Sequence, residues 1–236
     1  MQNSLFEQRL ENLKTVLDSN SQAVLLTNEK NIGYFCGFFH SEGYLLVTEN
    51  ETVLFVDFRY YEAALKKSSG CRVVCFTKLF KDLISELKNN SVVNVFFEAS
   101  DITVEKYNRF KKAFSENNIE CVCDGSLDHK IEKIRCIKDE SEIKKIAKAQ
   151  EITEKSYLEV LNYLKPGVSE RRVALELEHL IKLNGGGFHL ISSRLQAKRL
   201  HCLTEFRQMI LSVREISLLL ISAQFLTAIT AILRVR

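Results

Sequence analysis

The residues that could do chemistry are scattered, and few stand at a working spacing. The seven cysteines are Cys36, Cys71, Cys75, Cys121, Cys123, Cys136 and Cys202. Cys121 and Cys123 flank Val122 in a strand-like run, so both thiols fall on one face. A zinc-type site needs two further ligands at suitable spacing, and no second Cys pair or nearby His-x-His supplies them. Buried or incidental thiols are the expectation. Glu176 and Glu178 could pass for a carboxylate pair, but two positions apart on a helix they face different directions. Gly185, Gly186 and Gly187 follow a helix and precede no Lys-Ser or Lys-Thr. A phosphate loop or a dinucleotide turn needs a different pattern, so a helix cap and loop is expected. The histidines also read blandly. His40 lies in a turn as a polar loop residue, His129 is isolated, and His179 sits at the edge of a helix's polar face.

The elements that would position such residues are easier to read. Phe6, Leu10, Leu13 and Leu17 recur at helical spacing and predict an amphipathic N-terminal helix rather than a secretion signal. Ala23 to Thr27 predicts a buried strand. Asn31 to Ala64 carries an aromatic, glycine-punctuated run and then a hairpin. Its strands are Gly43 to Thr48 and Thr52 to Val56, joined by Glu49-Asn50-Glu51. Further strands are predicted over 72–76, 92–97 and 119–123, with helices through Leu79–Leu87 and Val104–Phe114. This alternation implies an α/β domain with a partly parallel sheet, to which the hairpin adds an antiparallel element. The domain is expected to close near residue 130. A long helix follows from Asp139, with Ile143, Ile146, Ala147, Tyr157, Val160, Leu161 and Leu164 on its apolar side. Lys165-Pro166-Gly167 stops it, and Ser169 caps a second helix striped with Val173, Leu177, Leu180 and Ile181.

Composition bounds the class. At 236 residues, 46% hydrophobic and 27% charged, the chain reads as an ordinary globular protein. A net charge of +3, without a patch interleaving basic and aromatic residues, argues against nucleic acid as a partner. An odd cysteine count without a secretion signal points to reduced thiols and a cytoplasmic location.

Three motifs in order carry a resemblance. They are Asn31/Tyr34/Gly37/Phe38, the strand Gly43 to Thr48, and Asp57/Arg59/Tyr60 at the end of the hairpin. With IKDESEIKKIAKAQEI, KPGVSERRVALELE and the Gly-rich turn, they resemble the creatinase/prolidase/aminopeptidase P family of metallopeptidases from Gln22 to about Phe188. The resemblance implies a creatinase-type N-terminal domain with a mixed sheet flanked by helices over 1–130. The first helices of a pita-bread catalytic domain would follow over 131–188. It also implies hydrolysis of the bond before proline in proline-containing peptides. Two divalent metals, such as Mn, would be held by two Asp, one His and two Glu, activating water and polarising the carbonyl. In such enzymes the N-terminal domain contributes to subunit association. A homodimer is therefore expected, with Arg59 and Tyr60 as candidates for contacts between subunits or domains. An Arg–carboxylate pair holding the hairpin end is the competing reading of Arg59.

After Phe188 the chain departs from that pattern. From His189 onward it contains no Asp and no Gly, so none of the family's metal-binding motifs can be assigned. A neighbouring reading frame takes the last base of one codon and the first two of the next. In that frame Leu190 with Ile191 permits Asp, and Cys202 to Arg207 permits Pro-His-Gly-Ile-Pro. Val213 to Ser217 permits Lys-Gly-Asp-Phe. Leu220 to Arg236 permits Asp-Phe-Gly-Ala-Val-Phe-Asn-Gly-Tyr-His-Ser-Asp-Ile-Thr-Arg-Thr. These strings are the absent motifs in order, with two bases of every shifted codon constrained by the printed residues. The expectation is a base lost near the codon for Phe188 and an out-of-frame tail over 189–236. In that reading His189 and His201 are decoys. The chain is expected to lack catalytic, metal-binding and substrate-binding residues, to hold no cofactor and to be inactive. The alternative is a non-catalytic binding or dimerisation module. On that alternative the uncharged run Ile216 to Leu233, between Arg214 and Arg234, would serve as a membrane anchor. The shifted frame is preferred. The helices between 139 and 183 are expected to be left with uncovered apolar surface.

Overall fold

The structure, a computed structural model, describes residues 2–40, 42–163, 168 and 170–186. The expected Lys165-Pro166-Gly167 stop, the Ser169 cap and the whole 189–236 tail lie outside the described residues. The chain divides into one unit over Met1–Ile137 and a second beginning at Lys138.

The first unit is built on a six-stranded mixed sheet. Its strands are β1 (Gln22–Leu26), β2 (Gly43–Thr48), β3 (Thr52–Val56), β4 (Arg72–Cys75), β5 (Asn94–Phe97) and β6 (Glu120–Val122). Their spatial order is β4-β3-β2-β1-β5-β6. The hairpin β2–β3 is antiparallel, as is β1–β2, whereas β1–β5, β5–β6 and β3–β4 are parallel. The predicted mixed α/β architecture is therefore the observed one. The hairpin turn closes through Thr48, whose hydroxyl donates to the Glu51 carbonyl at 2.9 Å and accepts from the Glu51 N–H at 3.0 Å.

Successive strand residues face opposite sides, so a sheet covered on both faces divides its apolar residues between two cores. Val24, Leu26, Leu45, Val47, Leu54 and Val56 enter one core. Ala23, Leu25, Leu46, Val53 and Phe55 enter the other. The first core is covered by α1 (Gln2–Lys14), α2 (Glu29–Cys36), α3 (Tyr61–Lys67) and α6 (Ser126–Cys136). The second is covered by α4 (Leu79–Asn89) and α5 (Val104–Ser115). A chain of aromatic contacts rigidifies it: Phe110 lies 5.2 Å from Phe80, 5.3 Å from Phe97 and 5.7 Å from Phe114.

Two elements differ from the sequence reading. The aromatic run from 29 to 36 is the helix α2, because Asn28 caps it, accepting from the N–H groups of Lys30 and Asn31. Ile32, Phe35 and Cys36 are all buried, so the helix's hydrophobic face is broad and its periodicity hard to see. The expected boundary at residue 130 falls inside α6. That helix buries Leu127 and Ile131 in the first core and so belongs to the first unit.

The second unit contains α7 (Glu140–Leu161) and α8 (Glu170–Leu183). Asp139 starts α7 with a capping box: its carboxylate accepts from Ser141 and Glu142, and the Glu142 carboxylate accepts in return from the Asp139 N–H at 2.9 Å. The helices pack through Val160 and Val173, with Tyr157, Leu161, Leu177 and Leu180 around them. Ile143, Leu158, Leu175 and Leu183 are exposed. Gly185 follows α8 at φ +87°, and the N–H of Gly186 reaches the Ile181 carbonyl at 2.8 Å, which is the capping role expected of that turn.

Candidate functional site

The motif residues gather around the carboxyl ends of β1 and β5. These strands are adjacent and parallel, and their following helices, α2 and α5, cover opposite faces of the sheet. Such a reversal opens a crevice beyond the strand ends, the usual ligand position in open α/β sheets. Here the chain fills it with its own carboxyl group. Glu98, the residue after β5, is 1% exposed. Its carboxylate accepts from the N–H groups of Thr27 at 2.7 Å and Asn28 at 3.0 Å, and from Asn31 Nδ2 at 2.5 Å. Burial pushes the Glu98 carboxyl above the ordinary carboxylate range, against the downward pull of those three hydrogen bonds.

Asn31 passes the network on. Its Oδ1 accepts from Arg135 Nη1 of α6. The Arg135 guanidinium lies 5.2 Å from the Tyr34 ring, and Arg9 of α1 lies 4.1 Å from the same ring while donating to the Tyr34 carbonyl at 2.9 Å. Gly37 ends α2 in the left-handed region at φ +82°, and Phe38 is fully buried. The four residues Asn31, Tyr34, Gly37 and Phe38 thus tie α1, α2, β5 and α6 together. Nearby, burial holds the Lys106 ammonium below its ordinary range, opposed by the charges of Glu98, Asp101 and Glu42.

Arg59 and Tyr60 follow the carboxyl end of β3, at the open end of the hairpin and on the same strand-end edge of the sheet. Asp57 accepts from the Arg59 N–H at 2.9 Å and from Arg59 Nε at 2.8 Å, with a further bond from Nη2. The Arg59 partner holds the Asp57 carboxyl below its usual range. Glu42 lies 3.8 Å from the same guanidinium. Tyr60 stacks between Arg59, at 5.3 Å, and His40, at 5.1 Å. His40 in turn lies 4.6 Å from Phe38, so it is part of an aromatic ladder rather than a loop residue facing water alone. Beside this ladder Phe39 is 60% and Phe58 80% exposed.

The other candidates fall apart. Cys121 and Cys123 both pack against the second core, and burial raises both thiols, Cys121 to about 11. Thiols held in the protonated form are poor ligands and poor nucleophiles. Glu178 pairs with Lys182 at 2.6 Å along its own helix. His179 is exposed, and His129 is exposed beside Glu132 at 3.9 Å. His189 and His201 lie outside the described residues. Among the described residues no three His, Cys, Asp or Glu side chains are grouped to hold a metal, so these residues do not supply a site for a metal pair. Among the described residues no helix is long and apolar enough to cross a membrane. Sequence reasoning missed Glu98, although a lone acid directly after the apolar run VVNVFF signals a buried carboxylate at a strand end.

Comparison with known proteins agrees with this architecture. Residues 9–137 match the Creatinase/Prolidase N-terminal domain. The chain is 33% identical over 181 residues to the Xaa-Pro dipeptidase of Pyrococcus furiosus, covering 76% of this chain and 49% of that protein. The structure of an Xaa-Pro dipeptidase from Bacillus anthracis superposes with a TM-score of 0.68 at 28% identity, over 75% of this chain and 49% of the other. The Pyrococcus horikoshii prolidase gives 0.63 at 29% identity, again over 75% and 49%. The chain therefore spans about half the length of the relatives it matches. With the model of the domain matched over more than half of its residues, the chain belongs to the Creatinase/Prolidase N-terminal domain family.

Proposed function

We propose that the chain represents the first half of a metal-dependent peptidase that cleaves the bond before proline, without that enzyme's chemical centre. The observation carrying this reading is the match to proteins named Xaa-Pro dipeptidase over about half their length. The Asn31–Glu98–Arg135 network is in keeping with it, since the motif residue Asn31 there joins side chains of the domain to one another. The family's substrates are peptides containing proline, and its metals are a divalent pair such as Mn. The segment from His189 onward lacks Asp and therefore offers no such ligand set. The purified chain is expected to bind no stoichiometric Mn, Co or Zn and to release no proline from Xaa-Pro dipeptides. Metal-dependent release of proline overturns this. The gene itself gives a second test. A codon pair for Leu220–Ile221 that cannot spell Asp in the neighbouring frame sinks the lost-base account.

A second reading, a homodimerising module, is favoured by the exposure of Phe58 and Phe39 beside the half-exposed Arg59. Phe58→Ser with Arg59→Glu is expected to halve the solution mass of a dimer. A monomer in the unmodified chain removes the reading. A cytoplasmic location belongs to the same proposal and is supported by the six described cysteines, all free thiols.

A further inference from the structure

The two outer strands of the sheet, β4 and β6, are finished differently. Successive residues of a strand turn their peptide groups to opposite sides, so every second residue of an outer strand faces away from its neighbour. In β6 the Glu120 N–H donates to the Val93 carbonyl at 2.7 Å, which leaves Cys121 facing outward. The Cys121 carbonyl is taken by the Tyr107 hydroxyl at 3.1 Å. In β4 the Phe76 N–H donates to the Val56 carbonyl at 3.0 Å. Arg72 and Val74 are in step with Phe76 and face β3, so Val73 and Cys75 face outward. Among the described residues no group donates to or accepts from the backbone of Val73 or Cys75.

An outer strand is commonly shielded by a charge or a proline among its residues. Val73, Val74, Cys75 and Phe76 supply neither. Arg72, at the start of β4, is engaged by Glu51 at 2.5 Å and Glu86 at 2.9 Å. Val73 packs against the first core and Val74 against the second, and both are half-buried. The free backbone groups are therefore flanked by apolar side chains on both faces of the sheet.

The spacing of those groups is self-complementary. A two-fold axis through Val74 sets Val73 of one copy opposite Cys75 of the other. Each outward N–H then meets an outward carbonyl. Val74 stands against its own counterpart on the second-core face, as a pair without mutual hydrogen bonds. No shift of register is needed, because the outward residues lie one position either side of the axis.

We propose that β4 is a docking surface for a second copy of this chain, joined by antiparallel pairing of β4 with β4 into one continuous sheet. A strand this short buries less than the ~1,200 Å² of a standard interface, so the dimer is weak and concentration-dependent. The surface does not include Phe39 or Phe58, and the two modes of association are separable by mutation.

Sedimentation of the full chain over a wide range of concentration is expected to show a monomer–dimer equilibrium. Cys75→Pro removes an outward N–H and sets a ring on the free side, while the N–H groups of Val74 and Phe76 toward β3 are kept. It should weaken association roughly tenfold or more, since a hydrogen bond is lost on both sides of the axis. Cys75→Ser should leave association unchanged. If Cys75→Pro does not fold, position 74 decides. Val74→Cys in the Cys75→Ser background is oxidised with glutathione disulfide and mapped by peptide mass. The paired geometry brings the Cα atoms at this position to about 4.5 Å, within reach of a disulfide. The expected product is a dimer cross-linked between the two copies of position 74. It should be several-fold richer than the dimer from Val104→Cys in the same background, a position 76% exposed on α5. A chain that stays monomeric at every concentration overturns the proposal. So does a folded Cys75→Pro protein that associates as the unmodified chain does, or a cross-link at position 74 no richer than the control. A dimer lost in Phe58→Ser with Arg59→Glu but indifferent to Cys75→Pro also overturns it, and leaves the association through Phe58 standing.

Discussion

Replacing Glu98 by glutamine tests whether the Asn31–Glu98–Arg135 network holds the first unit together. Glu98 receives three hydrogen bonds and is buried. The glutamine keeps one carbonyl oxygen for the N–H groups of Thr27 and Asn28, but its NH2 must then face Asn31 Nδ2. Asn31 cannot turn its amide to accept, because its Oδ1 already faces Arg135. One buried donor–donor conflict is therefore unavoidable, at about 1–3 kcal/mol. That loss is expected to lower the midpoint of thermal unfolding by roughly 2–12 °C. The double variant Asn31→Asp with Glu98→Gln supplies an acceptor toward both the introduced amide and Arg135, and should recover about 1 kcal/mol or more. Urea unfolding of the full chain, followed by circular dichroism, measures all four corners of the cycle. The pH dependence adds a sign. The folded Glu98 carboxyl titrates above its unfolded value, so the folded state binds the proton more tightly. The stability margin of the unmodified protein over Glu98→Gln is then largest below the unfolded value. It shrinks as pH rises through the raised folded one. A Glu98→Gln protein as stable as the parent, or a coupling energy below about 0.3 kcal/mol, refutes the reasoning.

Other contacts give three more expected outcomes. Gly37→Ala places a Cβ in the left-handed region and 3.1 Å from both the Lys67 carbonyl and the Phe6 ring. It should cost about 1–2 kcal/mol by urea unfolding, and more than the same change at Gly125, where a Cβ meets nothing. Gly33→Ala puts its methyl 2.1 Å from the Phe39 ring, which is 60% exposed and has room to swing. Phe39→Ala in the same chain should therefore cancel most of its cost, read as the interaction term of a four-protein unfolding cycle. Arg72 bridges Glu51 at 2.5 Å and Glu86 at 2.9 Å near the surface. Its hydrogen bond holds the Glu51 carboxyl below the ordinary range. Arg72→Met should cost no more than about 1 kcal/mol at low salt. That difference should be present above the unfolded carboxylate value and fade as pH falls through the folded one, checked by melts across acid pH and in added salt.

Element types and lineage were legible along the chain. Apolar residues in β2 and β3 on both sides of each strand required a sheet buried on both faces, and the polar turn between them set their register through Thr48 and Glu51. Asp139 and Glu142 announced the start of α7, because a capping box is a local contact between residues three apart. Motif spacing placed the chain in its family because those residues fix local turns and caps, whose requirements are written in neighbouring positions. Long-range packing settled what no local pattern encodes. Glu98 became the buried carboxyl group of a strand-end crevice only because β5 lies beside β1 and brings it to the start of α2. Arg135 closed that network from a helix that the sequence reading divided between two domains. The segment from 67 to 69 meets the end of α2 only because the chain folds back there, the Ser69 N–H donating to the Cys36 carbonyl. The more obvious Cys121 and Cys123, close by spacing, are both held protonated by burial. Spacing along a chain reports which side chains share a face, whereas the company each side chain keeps is set by which strands and helices come to lie side by side.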